Sequence, residues 1–148
     1  MAGARETSPA AERNKEPILE VLRGALPASG LVLEVASGTG QHSEWLASAL
    51  PGLTFQPSDP EPMLHASIRA WTAGLANVRA PLAIDVTADD WGLDAADAVL
   101  AINLVHIAPW AATAGLMAGA ARRLRGRARW WKSLTRIRAS RSRSSFVL

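Results

Sequence analysis

A short glycine loop follows an apolar run in the first third of the chain. The run covers residues 31–36, and Gly38 and Gly40 lie in the loop after it. Because glycine has no Cβ, the backbone of such a loop can pass close to a ligand. A helix that begins after the loop would present unpaired N–H groups at the same place. An ordinary strand-to-helix turn uses the same residue types, so the loop alone does not define a site.

Three acidic residues strengthen the prediction of a binding site. Glu34 lies within the apolar run, where a carboxylate needs a polar partner. Asp59 comes 19 residues after Gly40 and ends a second apolar segment, where it can accept both hydroxyls of a ribose. Asp85 ends a third segment, where its carboxylate or the neighbouring backbone could meet an adenine amino group. Each acid by itself could be a solvated loop charge, but together they predict a nucleoside site.

The same region distinguishes between two nucleoside ligands. The dinucleotide fingerprint requires a third glycine at position 43, where this chain has Ser43. A charged Glu34 would also repel a pyrophosphate. S-adenosylmethionine has no phosphate and carries an ammonium and a sulfonium cation, which suit an acidic loop. The residues therefore favour S-adenosylmethionine over NAD.

Strands and helices must alternate to bring these residues together. We expect a polar arm at 1–15 and helices at 16–26, 41–50, 61–76 and 110–124. We expect strands at 31–36, 53–56, 78–84 and 98–103, the third of them interrupted by Pro81. The third helix has the clearest period, with Leu64, Ile68, Trp71 and Leu75 on one face, and Trp45 and Trp71 are expected in the core. The alternation predicts an α/β fold with a Rossmann-like parallel sheet, whose strand ends open on one edge.

Charge divides the chain into two parts. All 13 acidic residues lie at or before Asp97, whereas the sequence from residue 98 onward contains basic residues and no acid. We expect a folded domain at 1–124 and a disordered Arg/Ser-rich tail at 125–148. The tail could bind nucleic acid, but an inert extension is the preferred interpretation. The absence of cysteine and of an apolar leader favours a cytoplasmic location.

A membrane span is the alternative for residues 98–121, which contain no charged side chain. Asn103, His106 and Pro109 lie near the middle of this segment and argue against it. A strand followed by a loop and a helix accounts for the same residues, so we expect no membrane span. We also expect no metal site, because the three histidines show no ligand spacing.

Several motifs together resemble the class I S-adenosylmethionine-dependent methyltransferases. They are E-V-A-S-G-T-G at 34–40, the acid at 59, D-V-T at 85–87 and I-N-L-V-H-I-A-P-W at 102–110. More narrowly, S-P-A-A-E-R-N-K-E-P-I-L at 8–19 and Q-P-S-D at 56–59 resemble the methyltransferase-like 26 family, also known as domain of unknown function 938. The resemblance runs from about residue 8 to about residue 125.

This resemblance implies a set of cofactor-binding residues. Glu34 and the two glycines would hold the methionine part of S-adenosylmethionine, Asp59 the ribose, and Asp85 with Val86 the adenine. In chain order the implied residues are Glu34, Ala36, Ser37, Gly38, Gly40, Asp59, Asp85, Val86 and Asn103.

The resemblance also implies a substrate side. Asn103 and His106 would lie under the methyl group, and His106 is the candidate general base because an imidazole titrates near neutrality. A structural loop histidine is an equally reasonable interpretation. Trp110 could wall the substrate pocket, although such a residue more often serves packing.

The C-terminal part departs from the family pattern. Class I methyltransferases continue with a fifth strand and a closing strand pair, and no such strand is recognisable after Leu124. We therefore expect the C-terminal strands to be missing and the fourth strand to have an unpaired edge with an uncovered apolar face. The expected function is S-adenosylmethionine-dependent methyl transfer to an unknown small-molecule or macromolecular acceptor. A binding-only remnant, inactive through truncation, a nucleic-acid-binding module and a nicotinamide-dependent enzyme are the alternatives.

Overall fold

A parallel three-stranded sheet with helices between its strands forms the centre of the structure, a computed structural model that describes residues 4–102 and 110–125. The elements are α1 (Pro9–Ala25), β1 (Gly30–Val35), α2 (Gln41–Ala49), β2 (Leu53–Pro57), α3 (Pro62–Thr72), β3 (Ala98–Ala101) and α4 (Trp110–Arg123). The prediction of an α/β fold with a Rossmann-like parallel sheet is confirmed.

The central strand β1 determines where the site can form. β1 pairs with β2 on one side and with β3 on the other, in both cases parallel, so the order is β2-β1-β3. After β2 the chain crosses to the opposite side of β1 and adds β3 there, so the strand order reverses direction at β1. In open α/β sheets, ligands bind beyond the carboxyl ends of the strands at this switch point. The loop after β1 lies there.

The strand predicted at 78–84 is interrupted at Pro81, as the sequence indicates, and it forms only isolated bridges instead of a regular strand. Two isolated parallel bridges, at Val78 and Leu82, join this segment to the β2 side of the sheet. Pro81 lies between them, and proline has no N–H to give to a sheet ladder. The segment therefore follows the edge of the sheet but pairs with it only on either side of the proline.

The helix predicted at 16–26 begins earlier, at Pro9. The hydroxyl of Ser8 accepts a hydrogen bond from the backbone N–H of Ala11 at 3.4 Å, and Pro9 occupies the first turn. Pro17 lies inside the helix and not in its first turn. The prediction that residues 9–15 belong to a polar arm is wrong, because the Ser-Pro start signal precedes them.

Helices cover both faces of the sheet. Val32 and Leu33 are adjacent in β1 and point to opposite faces, so each belongs to a different hydrophobic cluster. One cluster includes Ile18, Leu22, Leu46 and Phe55, and the other includes Ile84, Trp91, Ala112 and Leu116. Trp45 and Trp71, both predicted to be core residues, are half-buried.

The expectation that the fourth strand has an uncovered apolar face is wrong for β3. Val99 is buried in the cluster that contains Leu116 of α4, and Leu100 is buried on the opposite face, in the cluster that contains Ile18 of α1. After α4 the chain starts to pair beside β3: the N–H of Arg125 donates to the carbonyl of Ala96 at 2.9 Å, and Leu124 forms a parallel bridge there. The predicted loss of later strands concerns residues that lie outside the described ranges.

Two further sequence predictions concern a membrane span and the basic tail. Within residues 4–102 and 110–125, no helix is long and apolar enough to cross a membrane. The predicted tail lies outside these residues except for Arg125, and the proposed division at residue 124 stays a prediction.

The contact between α4 and the segment before it provides a test of this packing. A Cβ added at Gly115 would lie 2.4 Å from the carbonyl oxygen of Val86. We expect Gly115→Ala to lower the free energy of unfolding in urea by about 1–3 kcal/mol through overpacking. This should occur although alanine favours a helix over glycine by roughly 1 kcal/mol.

Gly24→Ala is the control, because no atom lies within 4 Å of its added Cβ. It should stabilise by about 0.4–1 kcal/mol. Stabilisation by both changes would contradict the α4 contact.

Candidate functional site

The backbone turns sharply between β1 and α2. Ala36, Gly38 and Gly40 have φ angles of 53°, 60° and 93°, all in the left-handed region. Ala36 is the only non-glycine residue with a positive φ in the described part of the chain. This conformation costs a residue with a Cβ roughly 1–2 kcal/mol. Strain of this kind is concentrated at functional sites, and here it occurs in the loop at the switch point of the sheet.

The two glycines of the loop have different roles. A Cβ at Gly40 would lie 2.7 Å from the Cα of Ile68, so this glycine allows α3 to pack against the start of α2. A Cβ at Gly38 would meet nothing within 4 Å. Gly38 therefore leaves open space in front of the loop, where a ligand can approach the backbone.

Glu34 is the buried acid of the site. Its side chain is almost inaccessible, and the Ser43 hydroxyl donates a hydrogen bond to Oε2. Burial and, to a smaller extent, the charge of Asp59 together raise the pKa of Glu34 to about 7, although hydrogen bonds from Ser43 and Ser37 oppose the rise. No Lys, Arg or His forms an ion pair with Glu34 within the described ranges. A cationic ligand group would supply the missing counter-charge.

Ser58 holds the ends of β1 and β2 together beneath the loop. Its hydroxyl donates to the carbonyl of Glu34 at 2.7 Å, and its carbonyl accepts from the N–H of Ser37 at 2.8 Å. The hydroxyl of Ser37 accepts in turn from the N–H of Ser58 at 3.1 Å. Sequence reasoning did not identify Ser58 or the bond from Ser43. The signal in the sequence that could have indicated Ser58 was its position immediately before Asp59, directly after β2.

Asp59 is buried and holds the loop in place. Its Oδ2 accepts from the N–H of Gly38 at 3.0 Å, and its Oδ1 accepts from the N–H of Glu61 at 2.9 Å. The carbonyl of Asp59 lies 2.8 Å from Nε2 of His65. Each carboxylate oxygen has a second lone pair, so the two hydrogen bonds leave acceptor capacity for a ligand hydroxyl.

Asp85 lies apart from this network. Its side chain is exposed, and Oδ1 accepts from the N–H and the hydroxyl of Thr87 at 2.9 and 2.6 Å. The hydroxyl and N–H of Thr87 lower the pKa of Asp85. Val86 is buried among apolar residues against α4. Asp85 follows Leu82, whose carbonyl accepts from the N–H of Asp59 at 3.0 Å, so it lies near the same edge without a direct bond to the loop.

The predicted residues thus fall into three groups. Hydrogen bonds join Ser37 to Glu34 and Gly38 to Asp59 at the adjacent ends of β1 and β2, and the N–H of Gly40 donates to the carbonyl of Ser37 at 3.2 Å. Asp85 and Val86 follow the adjacent edge segment. The predicted catalytic residues Asn103 and His106 lie outside the described residues, and their roles stay predictions.

Two further sequence predictions concern Trp110 and metals. Trp110 is 79% exposed at the start of α4, so the packing interpretation is wrong, while its role as a pocket wall stays a prediction. Among residues 4–102 and 110–125, no group of three or more His, Cys, Asp or Glu side chains could hold a metal ion.

The N-terminal residues contact the loop, which sequence reasoning did not foresee. Gln41, the first residue of α2, accepts from the N–H of Ser8 and from the hydroxyl of Thr39, and its Nε2 donates to Glu12 at 3.4 Å. The N–H of Glu6 donates to Ser67 of α3 at 2.9 Å. Residues 5–15 therefore connect the two helices that flank the glycine loop.

The fold and the site define a Rossmann-like domain of the class I methyltransferase type. The strained glycine loop lies at the switch point of a parallel sheet, with one acid inside β1 and another after β2. The chain belongs to the family described as protein of unknown function DUF938, whose sequence model matches residues 5–131.

Solved methyltransferase structures have the same fold. The apo form of the S-adenosylmethionine-dependent methyltransferase SibL is similar with a TM-score of 0.67 and 23% identity over 78% of this chain and 33% of that chain. CalO1, a methyltransferase in calicheamicin biosynthesis bound to SAH, is similar with a TM-score of 0.60 and 20% identity over 75% of this chain and 32% of that chain. SAM-bound CalS10, an amino pentose methyltransferase from Micromonospora echinaspora, is similar with a TM-score of 0.57 and 25% identity over 81% of this chain and 48% of that chain. The chain therefore spans about a third to a half of the length of these proteins.

The titration of Glu34 provides a test of its environment. The pKa is about 7 in the folded chain and 4.5 ordinarily, so between these values the folded state binds more protons than the unfolded state. The free energy of unfolding should therefore fall as pH rises through this window, by about 3 kcal/mol in total. Glu34→Gln keeps an acceptor for Ser43 but does not titrate.

We expect the difference in free energy of unfolding, wild type minus Glu34→Gln, to fall between pH 4.5 and 8 and then level off. Urea unfolding at each pH measures it. His42, whose pKa burial lowers to about 4, is present in both proteins, so its own titration cancels in the difference. Parallel curves for the two proteins would show that Glu34 titrates normally.

Proposed function

We propose that this chain binds S-adenosylmethionine and forms the cofactor-binding part of a methyltransferase whose methyl acceptor is unidentified. The observation that carries the proposal is Glu34, a buried carboxyl without a cationic partner in the described part of the chain, directly behind a loop with open space at Gly38. S-adenosylmethionine and S-adenosylhomocysteine are named as ligands of the similar structures CalS10 and CalO1.

The charge of the ligand fits the Glu34 environment. The amino-acid end of S-adenosylmethionine carries an ammonium, and its sulfur carries a positive charge. A cation beside Glu34 would favour the ionised carboxylate and offset the desolvation that now raises its pKa. The pyrophosphate of NAD would have the opposite effect. Ser43, which occupies the third glycine position of the dinucleotide fingerprint, bonds to Glu34 instead.

The nucleoside end has candidate partners at the adjacent strand ends. Asp59 retains lone pairs for ribose hydroxyls and is positioned by its hydrogen bonds to the amides of Gly38 and Glu61. Val86 presents a buried apolar position and Asp85 an exposed carboxylate beyond it. These two positions suit the apolar face and the amino group of adenine respectively.

Methyl transfer makes few chemical demands on the protein. The bound cofactor supplies a methyl group that is already activated by the sulfonium, and an acceptor displaces it in line. The protein has to orient the two reactants and exclude water. A loop held by Asp59 and Ser58 provides such a fixed support. We assign the acceptor side to Asn103 and His106, with His106 as the general base.

Ligand-induced stabilisation tests the cofactor assignment. A ligand at a hundred times its dissociation constant should raise the free energy of unfolding by roughly 2.7 kcal/mol. We expect this effect from S-adenosylmethionine and S-adenosylhomocysteine but not from NAD, measured by urea unfolding and calorimetric titration. Stabilisation by NAD alone would replace the assignment with a nicotinamide-dependent one.

Transfer is a separate measurement from binding. Incubation with methyl-labelled S-adenosylmethionine and fractionated small-molecule and protein extracts should yield a labelled acceptor. Binding without any labelled product would favour the binding-only alternative.

The open space at Gly38 provides a mutational test. Gly38→Leu should reduce S-adenosylhomocysteine affinity at least about tenfold, because the side chain would occupy the space in front of the loop. Gly74→Leu is a matched control, since Gly74 also has a positive φ with nothing within 4 Å of an added Cβ and follows the far end of α3. The two variants carry a similar backbone penalty, which unfolding without ligand measures. Equal affinities for the two variants would place the ligand elsewhere.

A further inference from the structure

The residues just before α1 are attached to the last turn of α3, and we call residues 5–8 the N-terminal strap. The guanidinium of Arg5 lies 4.9 Å from the centre of the Trp71 ring, and its Nε donates to the carbonyl of Ala70 at 3.1 Å. The indole N–H of Trp71 donates to the carbonyl of Glu6 at 2.7 Å. Trp71 therefore holds the strap through both its ring and its N–H.

Ser67 connects the strap to the glycine loop. Its hydroxyl accepts from the N–H of Glu6 at 2.9 Å and donates to the carbonyl of Thr39 at 2.7 Å. A hydroxyl has one donor and two lone pairs, so it can serve both partners at once. Ser67 is almost fully buried. One buried hydroxyl thus joins the strap to the residue between Gly38 and Gly40.

Gln41 makes a second connection of the same kind. Its side-chain carbonyl accepts from the N–H of Ser8 and also from the hydroxyl of Thr39, the latter at 3.2 Å. Gln41 is buried as well. The carbonyl and the hydroxyl of Thr39 are therefore both bound to buried side chains, and each of these side chains also accepts a backbone N–H of the strap.

The strap itself is weakly held. Residues 5–7 are exposed, Ser8 is half-buried, and none of the four belongs to either hydrophobic cluster. Segments with few buried apolar contacts and with exposed hydrogen bonds open locally, at a lower free energy than the whole fold. The strap can therefore leave α3 while the rest of the domain stays folded, and the N–H groups of Glu6 and Ser8 are then lost to Ser67 and Gln41.

The glycine loop depends on such contacts because its backbone is strained. The left-handed conformation of Ala36 persists only where surrounding residues determine it. Asp59 holds the loop at the N–H of Gly38, and the strap supports the two side chains that hold it at Thr39. When the strap leaves, this second anchor loosens and the loop can relax. A ligand then has to restore the loop, which lowers its affinity.

We propose that the N-terminal strap positions the glycine loop for its ligand, with Ser67 and Gln41 as the positioning residues. The inference rests on the proposed function and deepens it, because it identifies a segment that controls the same site through the loop and not by contact with the ligand. Docking of the strap and occupation of the loop then favour each other by the same factor, since the coupling of two binding equilibria is reciprocal.

Calorimetric titration of the full-length protein with S-adenosylhomocysteine measures the affinity side of this coupling. Trp71→Leu removes the indole N–H and the ring under Arg5 but leaves every described contact of the glycine loop in place. We expect it to weaken binding by roughly threefold to tenfold, because the weakly held strap loses a hydrogen bond and a cation–π contact. Ser67→Ala should weaken binding at least as much. The double variant should lose less than the product of the two single losses, because both changes act through the strap.

Two matched variants serve as controls. Trp45→Leu also removes a half-buried indole that lies under a cation, the Nζ of Lys15 at 4.6 Å. Within the described residues the Trp45 N–H has no hydrogen-bond partner. Ser48→Ala removes an exposed hydroxyl that donates to Glu44 at 3.4 Å. Both should bind S-adenosylhomocysteine as the wild type does. Urea unfolding without ligand establishes that each variant is folded, and Arg5→Ala replaces Trp71→Leu if the latter is not.

Hydrogen exchange measures the other side of the coupling on the wild type, so it does not depend on any variant. The N–H groups of Glu6 and Ser8 have their side-chain acceptors only while the strap is docked. Saturating S-adenosylhomocysteine should slow the exchange of these two amides, followed by NMR, by at least the factor by which Trp71→Leu weakens binding. The N–H of Gly92, which donates to the carboxylate of Asp90 at 2.7 Å in an exposed loop, should exchange at an unchanged rate.

The possible outcomes separate the strap from the proposed function. If the wild type binds S-adenosylhomocysteine but Trp71→Leu binds it equally well, or the amides of Glu6 and Ser8 are not slowed, the role of the strap is overturned while the proposed function stands. A loss confined to Ser67→Ala also overturns it, since Ser67 would then hold the loop without the strap. If the wild type does not bind S-adenosylhomocysteine, the proposed function fails and the role of the strap fails with it.

Discussion

The burial of an acid at the end of β1 constrains the rest of the site. Glu34 is held from three directions: its own strand, the Ser43 hydroxyl of α2 at its carboxyl, and the Ser58 hydroxyl beyond β2 at its carbonyl. Burying a carboxyl in this way is unfavourable for its ionised form, and the raised pKa is the result. The fold therefore keeps a buried carboxyl whose ionised form a nearby cation would stabilise.

The loop in front of this acid is held by contacts with its neighbours and leaves open space at Gly38. Its left-handed backbone at Ala36 is a conformation that persists only where surrounding contacts determine it. The carboxylate of Asp59 supplies one such contact at the amide of Gly38, and α3 supplies another against Gly40. Because these contacts come from residues of the chain itself, they preorganise the loop, and preorganisation increases the affinity for a ligand.

Several features follow from the sequence because they depend on local pattern and on general rules of topology. Alternating apolar runs and helical periods require a parallel sheet, and parallel strand ends meet at one edge. These rules place Gly38 and Asp59 together without coordinates, and the structure joins them by one hydrogen bond. The start of α1 at Pro9 was also readable from a local signal, the capping serine before a proline, although the polar composition of residues 9–15 indicated an arm.

The partners of the buried polar side chains were decided only by the tertiary structure. Ser58 and Glu34 are 24 residues apart in sequence, and Lys15 meets the turn of His42 only because α1 packs across α2. Residue type and spacing determine which elements form and which sheet edge they share. Packing determines which polar groups are desolvated and which partners they find, and that in turn sets the charge state of the site.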